Sequence, residues 1–152
     1  MDVSIVFVNY HTEALLLECL RSIYTYTKDL TFECIVVDNH FIPEANAQIL
    51  SEFPHTSWID AGYNSGFSIA NNIGLKAASG RYILFLNADT LIFDNSIKFA
   101  FQHLEQEKSL VAIGGNQLTD KKEPLPYYRT LNDVRRDFYI VPNQRFFHDQ
   151  CL

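Results

Sequence analysis

Residues 82–90, Tyr-Ile-Leu-Phe-Leu-Asn-Ala-Asp-Thr, constrain the fold more than any other stretch. Five apolar residues run straight into a short polar turn that carries one carboxylate, Asp89. An apolar run of this length, with Phe and Ile in it, reads as a buried central strand. Asp89 then stands just past the strand's C-terminal end. In open α/β sheets, ligands bind outside the carboxyl ends of the strands, so this carboxylate lies where a ligand is expected.

The same design repeats along the chain. Residues 3–9 (VSIVFVN) are β-branched and apolar and read as a first buried strand. From Glu13 the period changes to a helical one, with Leu16, Leu20, Ile23, Tyr24 and Thr27 on one face and Thr12 as N-cap. Residues 32–38 (FECIVVD) predict a second strand, and 39–43 a turn. Residues 45–53 predict a short helix stopped by Pro54, and 56–60 a third strand. The glycine-flanked loop Gly62-Tyr63-Asn64-Ser65-Gly66 opens a helix over 67–78, with Gly80 as its C-terminal stop. After the strand at 82–86, Asp94 or Asn95 caps a helix with Ile97, Ala100, Phe101 and Leu104 at i, i+3, i+4 and i+7. Residues 110–113 predict a fifth strand. Strands alternating with helices imply an α/β fold with a mainly parallel sheet covered on both faces. Beyond Gly114-Gly115-Asn116 the pattern dissolves, and residues 1–118 read as the core and 119–152 as an irregular tail. Within that tail, 131–140 predict a short helix.

Composition narrows the function. A chain of 152 residues is long enough for one domain with a sizeable core. The formal net charge of -6 argues against nucleic acid or an anionic membrane as a general partner, since both need clustered Lys and Arg. Cys19, Cys34 and Cys151 form no C-x-x-C pair and their number is odd, which fits a reducing compartment better than a disulfide framework. Cys34 lies within a strand and reads as core. No leader pattern is expected at the start, and no apolar run approaches the roughly 18 residues of a membrane span.

Three polar turns follow apolar strands: Asn9-Tyr10-His11, Asp38-Asn39-His40 and Asn87-Ala88-Asp89. Each alone fits an ordinary turn, because Asn and Asp favour turns and caps. Parallel strands bring all three to one edge, and Asn64, Ser65 and Gly66 precede a helix whose N-terminus faces that edge. An acidic turn can hold Mg²⁺ or Mn²⁺ through one or two carboxylates, with phosphate oxygens filling other positions. No G-x-x-x-x-G-K-[ST] is present, and no G-x-G-x-x-G follows the first strand, so phosphates would depend on the metal.

VSIVFVNYH, CIVVDN and GYNSGFSIANNIGLKAASGRYILFLNADT resemble the successive nucleotide-binding motifs of family 2 glycosyltransferases, which have the GT-A fold. The resemblance covers about residues 1–118 and is nearest to the bacterial rhamnosyltransferase-like branch. It implies a Rossmann-like nucleotide-diphospho-sugar transferase sheet whose C-terminal part is incomplete in this chain. It implies that Tyr10 and the backbone near Asn9 lie against the base, and that Asp38 accepts the imide N–H of uracil or thymine. By the same resemblance Asn64, Gly66, Asn72 and Asn87 contact the nucleotide, and Asp89 coordinates the metal on the diphosphate. The implied reaction is inverting transfer from a UDP- or dTDP-sugar to a glycan or lipid-linked acceptor, in the cytoplasm or against the inner membrane.

The sequence departs from the family pattern in four places. Asn71 stands where many relatives carry Arg, Ala88 replaces a usual Pro, and His40-Phe41-Ile42 replaces small polar residues. The later acidic motif that supplies the catalytic base is not found; Asp133, Asp137 and Asp149 lack its context and read as solvated surface. Tyr127, Tyr128, Arg129, Arg135 and Arg136 leave an acceptor site, a membrane contact and a solvated edge all open. The five histidines show no metal-site spacing. The functional readings that stay open are a transferase, a nucleotide-binding module without transfer, and an interaction domain. A homo-oligomer is expected if an incomplete domain leaves apolar surface exposed.

Overall fold

In the computed structural model, residues 1–115, 118 and 139–142 are described. The elements run β1 (Val3–Asn9), α1 (Glu13–Tyr26), β2 (Phe32–Asp38), α2 (Pro43–Glu52), β3 (Ser57–Asp60), α3 (Gly66–Ala77), β4 (Tyr82–Phe85), α4 (Ser96–Gln106), β5 (Ile113–Gly114) and β6 (Tyr139–Pro142). They build one sheet in the order β3-β2-β1-β4-β6-β5. The first four strands are parallel, with Val3 opposite both Phe32 and Tyr82. The order reverses at β1: the chain moves outward through β2 and β3, then returns to place β4 on the other side. A ligand crevice is expected at such a switch point.

Alternation along the strands divides the core. Val3, Ile5 and Phe7 of β1, with Cys34 and Val36 of β2 and Tyr82 and Leu84 of β4, face α1, α2 and α4. Val6, Ile35 and Ile83 face the other way, in a smaller cluster with Leu75 and Ala78. Helix α3 covers this second face, and Gly74 sets how closely. A Cβ there would collide with Val6 Cγ1 and stand 3.3 Å from Val37 Cγ2.

Several boundaries differ from the sequence expectation for identifiable reasons. Helix α2 starts at Pro43 rather than residue 45, because proline suits the first helical turn, where its missing N–H is not needed. Thr12 precedes α1 without capping it, since its hydroxyl donates to Asn9 Oδ1 (2.8 Å). Gly80 is not a left-handed helix stop. It is required because a Cβ would run into the backbone of Val3 and Ser4, and its N–H donates to Ser4 Oγ (2.7 Å).

The expected fifth parallel strand at 110–113 is instead the two-residue β5. It is separated from β4 by β6, which is antiparallel to both. Tyr139 and Ile140, expected in a helix, are strand residues of β6; their segment, Tyr-Ile-Val-Pro, is aromatic and β-branched and suits a strand. Residues 131–138 of that expected helix lie outside the described residues.

Candidate nucleotide site

At the carboxyl ends of β1, β2 and β3 lies a cleft of about 270 Å³. Tyr10, Asn39, His40, Phe41, Asp60 and Tyr63 form its walls, and Gly62 and Asn64 complete them. Tyr10 follows β1 and is half exposed, with its ring against His11 (centroids 4.5 Å apart). His11 holds a left-handed backbone (φ 58°), which is uncommon for a non-glycine residue. That turn brings its ring to 4.2 Å from His40. The sequence spacing of the histidines gave no sign of this pair, because the two lie on different strand ends.

Beneath the cleft is a buried polar hub. Asp38 is fully buried. Its Oδ1 accepts from Asn9 Nδ2 (3.1 Å) and the His40 backbone N–H (3.1 Å). Its Oδ2 accepts from Asn46 Nδ2 (2.9 Å) and Trp58 Nε1 (3.2 Å). A carboxylate offers about four acceptor positions, and here all four are taken. Asn9 is equally committed: it is fully buried, also donates to Glu13 Oε1 (3.2 Å), and accepts from Thr12. Asn9 and Asp38 thus hold the turns that carry the lining residues Tyr10 and His40. Asn46 and Trp58 were missed by sequence reading. A signal for Asn46 existed: it shares with Ile49 and Phe53 the buried stripe of α2, where a polar residue needs a partner.

The next strand end is stapled to this one by Asn39. Its Oδ1 accepts from the Ser65 backbone N–H (3.2 Å) and Ser65 Oγ (2.9 Å), and its Nδ2 donates to the Gly66 carbonyl (3.4 Å). Gly66 opens α3 with φ +75°, a conformation that favours glycine. Its N–H donates to Asn64 Oδ1 (3.1 Å). Asn64 and Gly66 thus stand together, and Asn64 lines the cleft. Asn72 does not join them: it is an exposed residue of α3, roughly 9 Å further along the helix axis.

Across β1, the turn after β4 carries Asn87 and Asp89. The Asn87 carbonyl accepts from the Thr90 N–H (3.2 Å) and lies 3.9 Å from Cys19 Sγ. Ala88 is buried. Asp89 is exposed and makes no hydrogen bond among the described residues. Burial, with the Asp89 charge second, pushes the Cys19 thiol up to about 12, so this sulfur is neutral beside the carboxylate. No group of three metal-binding side chains occurs among the described residues. One free carboxylate fits a hard divalent cation that takes its other ligands from phosphate oxygens and water.

A model of the family "Glycosyl transferase family 2" matches residues 4–151. The chain belongs to this family. Among curated proteins, this chain is 28% identical over 135 residues to Glycosyltransferase GlyA of Streptococcus pneumoniae, covering 86% of the chain and 19% of that protein. It is 32% identical over 120 residues to the minor teichoic acid biosynthesis protein GgaB of Bacillus subtilis, covering 74% of the chain and 13% of that protein. The chain therefore spans less than a fifth of the length of these two relatives. Among solved structures, S. aureus TarS 1-349 in complex with UDP superposes with a TM-score of 0.75 at 18% identity, over 98% of this chain and 49% of that one. The mannosyltransferase PcManGT from Pyrobaculum calidifontis, in complex with GDP-Man and Mn²⁺, gives 0.64 at 22% identity, over 73% and 34%. These likenesses establish the GT-A fold. The aspartates considered for a base, Asp133, Asp137 and Asp149, lie outside the described residues, as do Tyr127, Tyr128, Arg129, Arg135 and Arg136.

Proposed function

We propose that this chain binds the nucleotide of a UDP- or dTDP-sugar and serves its inverting transfer to a glycan or lipid-linked acceptor, in the manner of the rhamnosyltransferase-like branch. The observation that carries the reading is one edge of the sheet. The cleft beside Tyr10 lies at the ends of β1 to β3, and the free carboxylate of Asp89 lies past β4 on the far side of the switch point. A base in the cleft and a diphosphate at Asp89 span neighbouring strands spaced about 4.8 Å apart.

In this reading Tyr10 lies against the base, and Asn64 and Gly66 sit beside the nucleoside. Asn87 reaches the ribose or the metal's water shell, while Asn9 and Asp38 hold the turns in place. Asp89 would hold Mg²⁺ or Mn²⁺; such a cation, when bound, stabilises the leaving diphosphate as a Lewis acid. Support for the donor comes from the TarS structures with UDP and UDP-GlcNAc. The names of GgaB and of a Bacillus spizizenii poly(ribitol-phosphate) beta-glucosyltransferase support a cell-surface polymer as acceptor. No helix among the described residues is long and apolar enough to cross a membrane, and the proposed setting is the cytoplasmic side, against the inner membrane.

Thermal melting with UDP or dTDP, with and without Mn²⁺, tests the site. A metal-dependent rise in melting temperature is expected, and Asp89→Ala should abolish the metal dependence while leaving the unliganded melt unchanged. An intact fold with no shift for either nucleotide would remove the nucleotide reading. Hydrolysis of a panel of donor sugars then separates a transferase from a module that binds without transfer.

A further inference from the structure

We infer that His11 and His40 form a two-imidazole site for a borderline-soft divalent cation, with Zn²⁺ as its type, at the ends of β1 and β2. The rings lie 4.2 Å apart between centroids, tilted by 49°. Both residues are exposed, so a cation reaches them from solvent. Neither ring makes a hydrogen bond among the described residues. A Zn²⁺ bound about 2.0–2.1 Å from each ligating nitrogen needs the two nitrogens within about 4 Å of each other. Rings this close meet that requirement by turning about their side-chain bonds, with the strands in place.

The fold holds both rings where they are. His11 stands in the left-handed region (φ 58°), which a non-glycine residue keeps only where its surroundings impose it. Here Asn9 imposes it. Its Oδ1 accepts the Thr12 backbone N–H (3.3 Å) and the Thr12 hydroxyl (2.8 Å), closing the turn around His11. The His40 backbone N–H donates to Asp38 Oδ1 (3.1 Å), and Asn9 Nδ2 donates to the same oxygen (3.1 Å). One buried pair, Asn9 and Asp38, therefore fixes both turns and the imidazoles they carry. Ligands set on fixed supports are what a metal site requires.

Imidazole suits Zn²⁺, Cu²⁺ and Ni²⁺, whereas carboxylate, phosphate and water suit Mg²⁺ and Mn²⁺. The pair thus differs in kind from the single carboxylate of Asp89, and it stands without the nucleotide reading. Each imidazole gives the lone pair of its unprotonated nitrogen. Water fills the other positions, because no third metal-binding side chain joins the pair among the described residues. Asp60 lines the cleft together with His40 and adds a negative charge that favours a cation there. The bound cation ties the turn after β1 to the turn after β2. It also braces Tyr10, whose ring lies 4.5 Å from His11 and 6.2 Å from His40.

The test is titration calorimetry of Zn²⁺ on the whole chain in a Cys151→Ser background, which removes the thiol outside the described residues. The parent should bind Zn²⁺, gain melting temperature with it, and keep it against an equal concentration of Mg²⁺. His11→Asn and His40→Ala should each weaken Zn²⁺ binding at least about tenfold, and the double variant little further, since either loss breaks the chelate. Asparagine is chosen at position 11 because it tolerates the left-handed backbone. Both residues are exposed, so the zinc-free melting temperature should hold in each variant. Cu²⁺ on the parent gives a reading that needs no variant: its paramagnetic resonance spectrum should show two imidazole nitrogens. Unchanged Zn²⁺ affinity in either folded variant overturns the site. So does displacement of Zn²⁺ by equal Mg²⁺, a Cu²⁺ spectrum with fewer than two nitrogens, or absence of Zn²⁺ binding by the parent.

Discussion

Asp38 shows how one buried carboxylate can organise the turns around a cleft. Three of its donors are side chains on three other elements: Asn9 on β1, Asn46 on α2 and Trp58 on β3. Trp58 is the only tryptophan, and it is half-buried against the larger core. Trp58→Phe keeps most of that packing and deletes one donor to Asp38 Oδ2. It should lower unfolding stability by about 1–3 kcal/mol, the range for depriving a buried charged acceptor of a partner. Denaturant unfolding measures this, and a loss under about 0.5 kcal/mol would mean that Asp38 does not depend on the indole.

At the level of elements, a second polar knot ties the opposite end of the sheet. Glu33 Oε1 on β2 accepts from Ser4 Oγ on β1 (2.5 Å) and from Ser79 N–H (2.8 Å) and Oγ (2.7 Å) in the loop between α3 and β4. Partial burial raises the carboxyl, but donation from Ser4, Ser79 and Gly80 outweighs it and holds Glu33 below its ordinary value of 4.5. The folded state therefore favours the ionised form. The stability this contributes is present above pH 4.5 and is lost as pH falls through the lower folded-state value. Glu33→Gln should make melting temperature less sensitive to acid over that window than in the unaltered chain. Equal acid slopes for the two would refute a role for Glu33 in joining α3–β4 to the first two strands.

For the whole molecule, the cysteines report on closure of the core. Cys19 and Cys34 are both buried. Burial, with Asp89 second, pushes Cys19 up to about 12, and burial, with Cys19 second, pushes Cys34 well up. The thiolate is the reactive form, so neither should react with a thiol reagent at pH 8 while the protein is folded. In a Cys151→Ser background, labelling should appear only as denaturant unfolds the chain, in step with loss of tryptophan signal. Labelling of Cys19 well before that transition would show that α1 opens from the sheet independently.

The sequence by itself determined the kinds of element from β1 to α4, their order and the edge that carries the candidate site. Hydrophobic period distinguishes a strand such as Val3–Asn9 from a helix such as Ser96–Gln106, and parallel strands put their following turns on one edge. It also singled out Asp89, because a carboxylate directly after a buried strand is conspicuous on one strand alone. Tertiary structure decided the rest. Period 2 shows which face a residue takes but not which strand lies beside it, so the insertion of β6 between β4 and β5 was not legible. Nor was the contrast between Asp38 and Asp60, two aspartates at matching strand ends. One is surrounded by Asn9, Asn46 and Trp58 and has every acceptor filled; the other is bound on one oxygen and opens into the cleft. Acceptor capacity depends on which donors the fold brings near, and those donors lie on separate elements whose meeting only packing specifies.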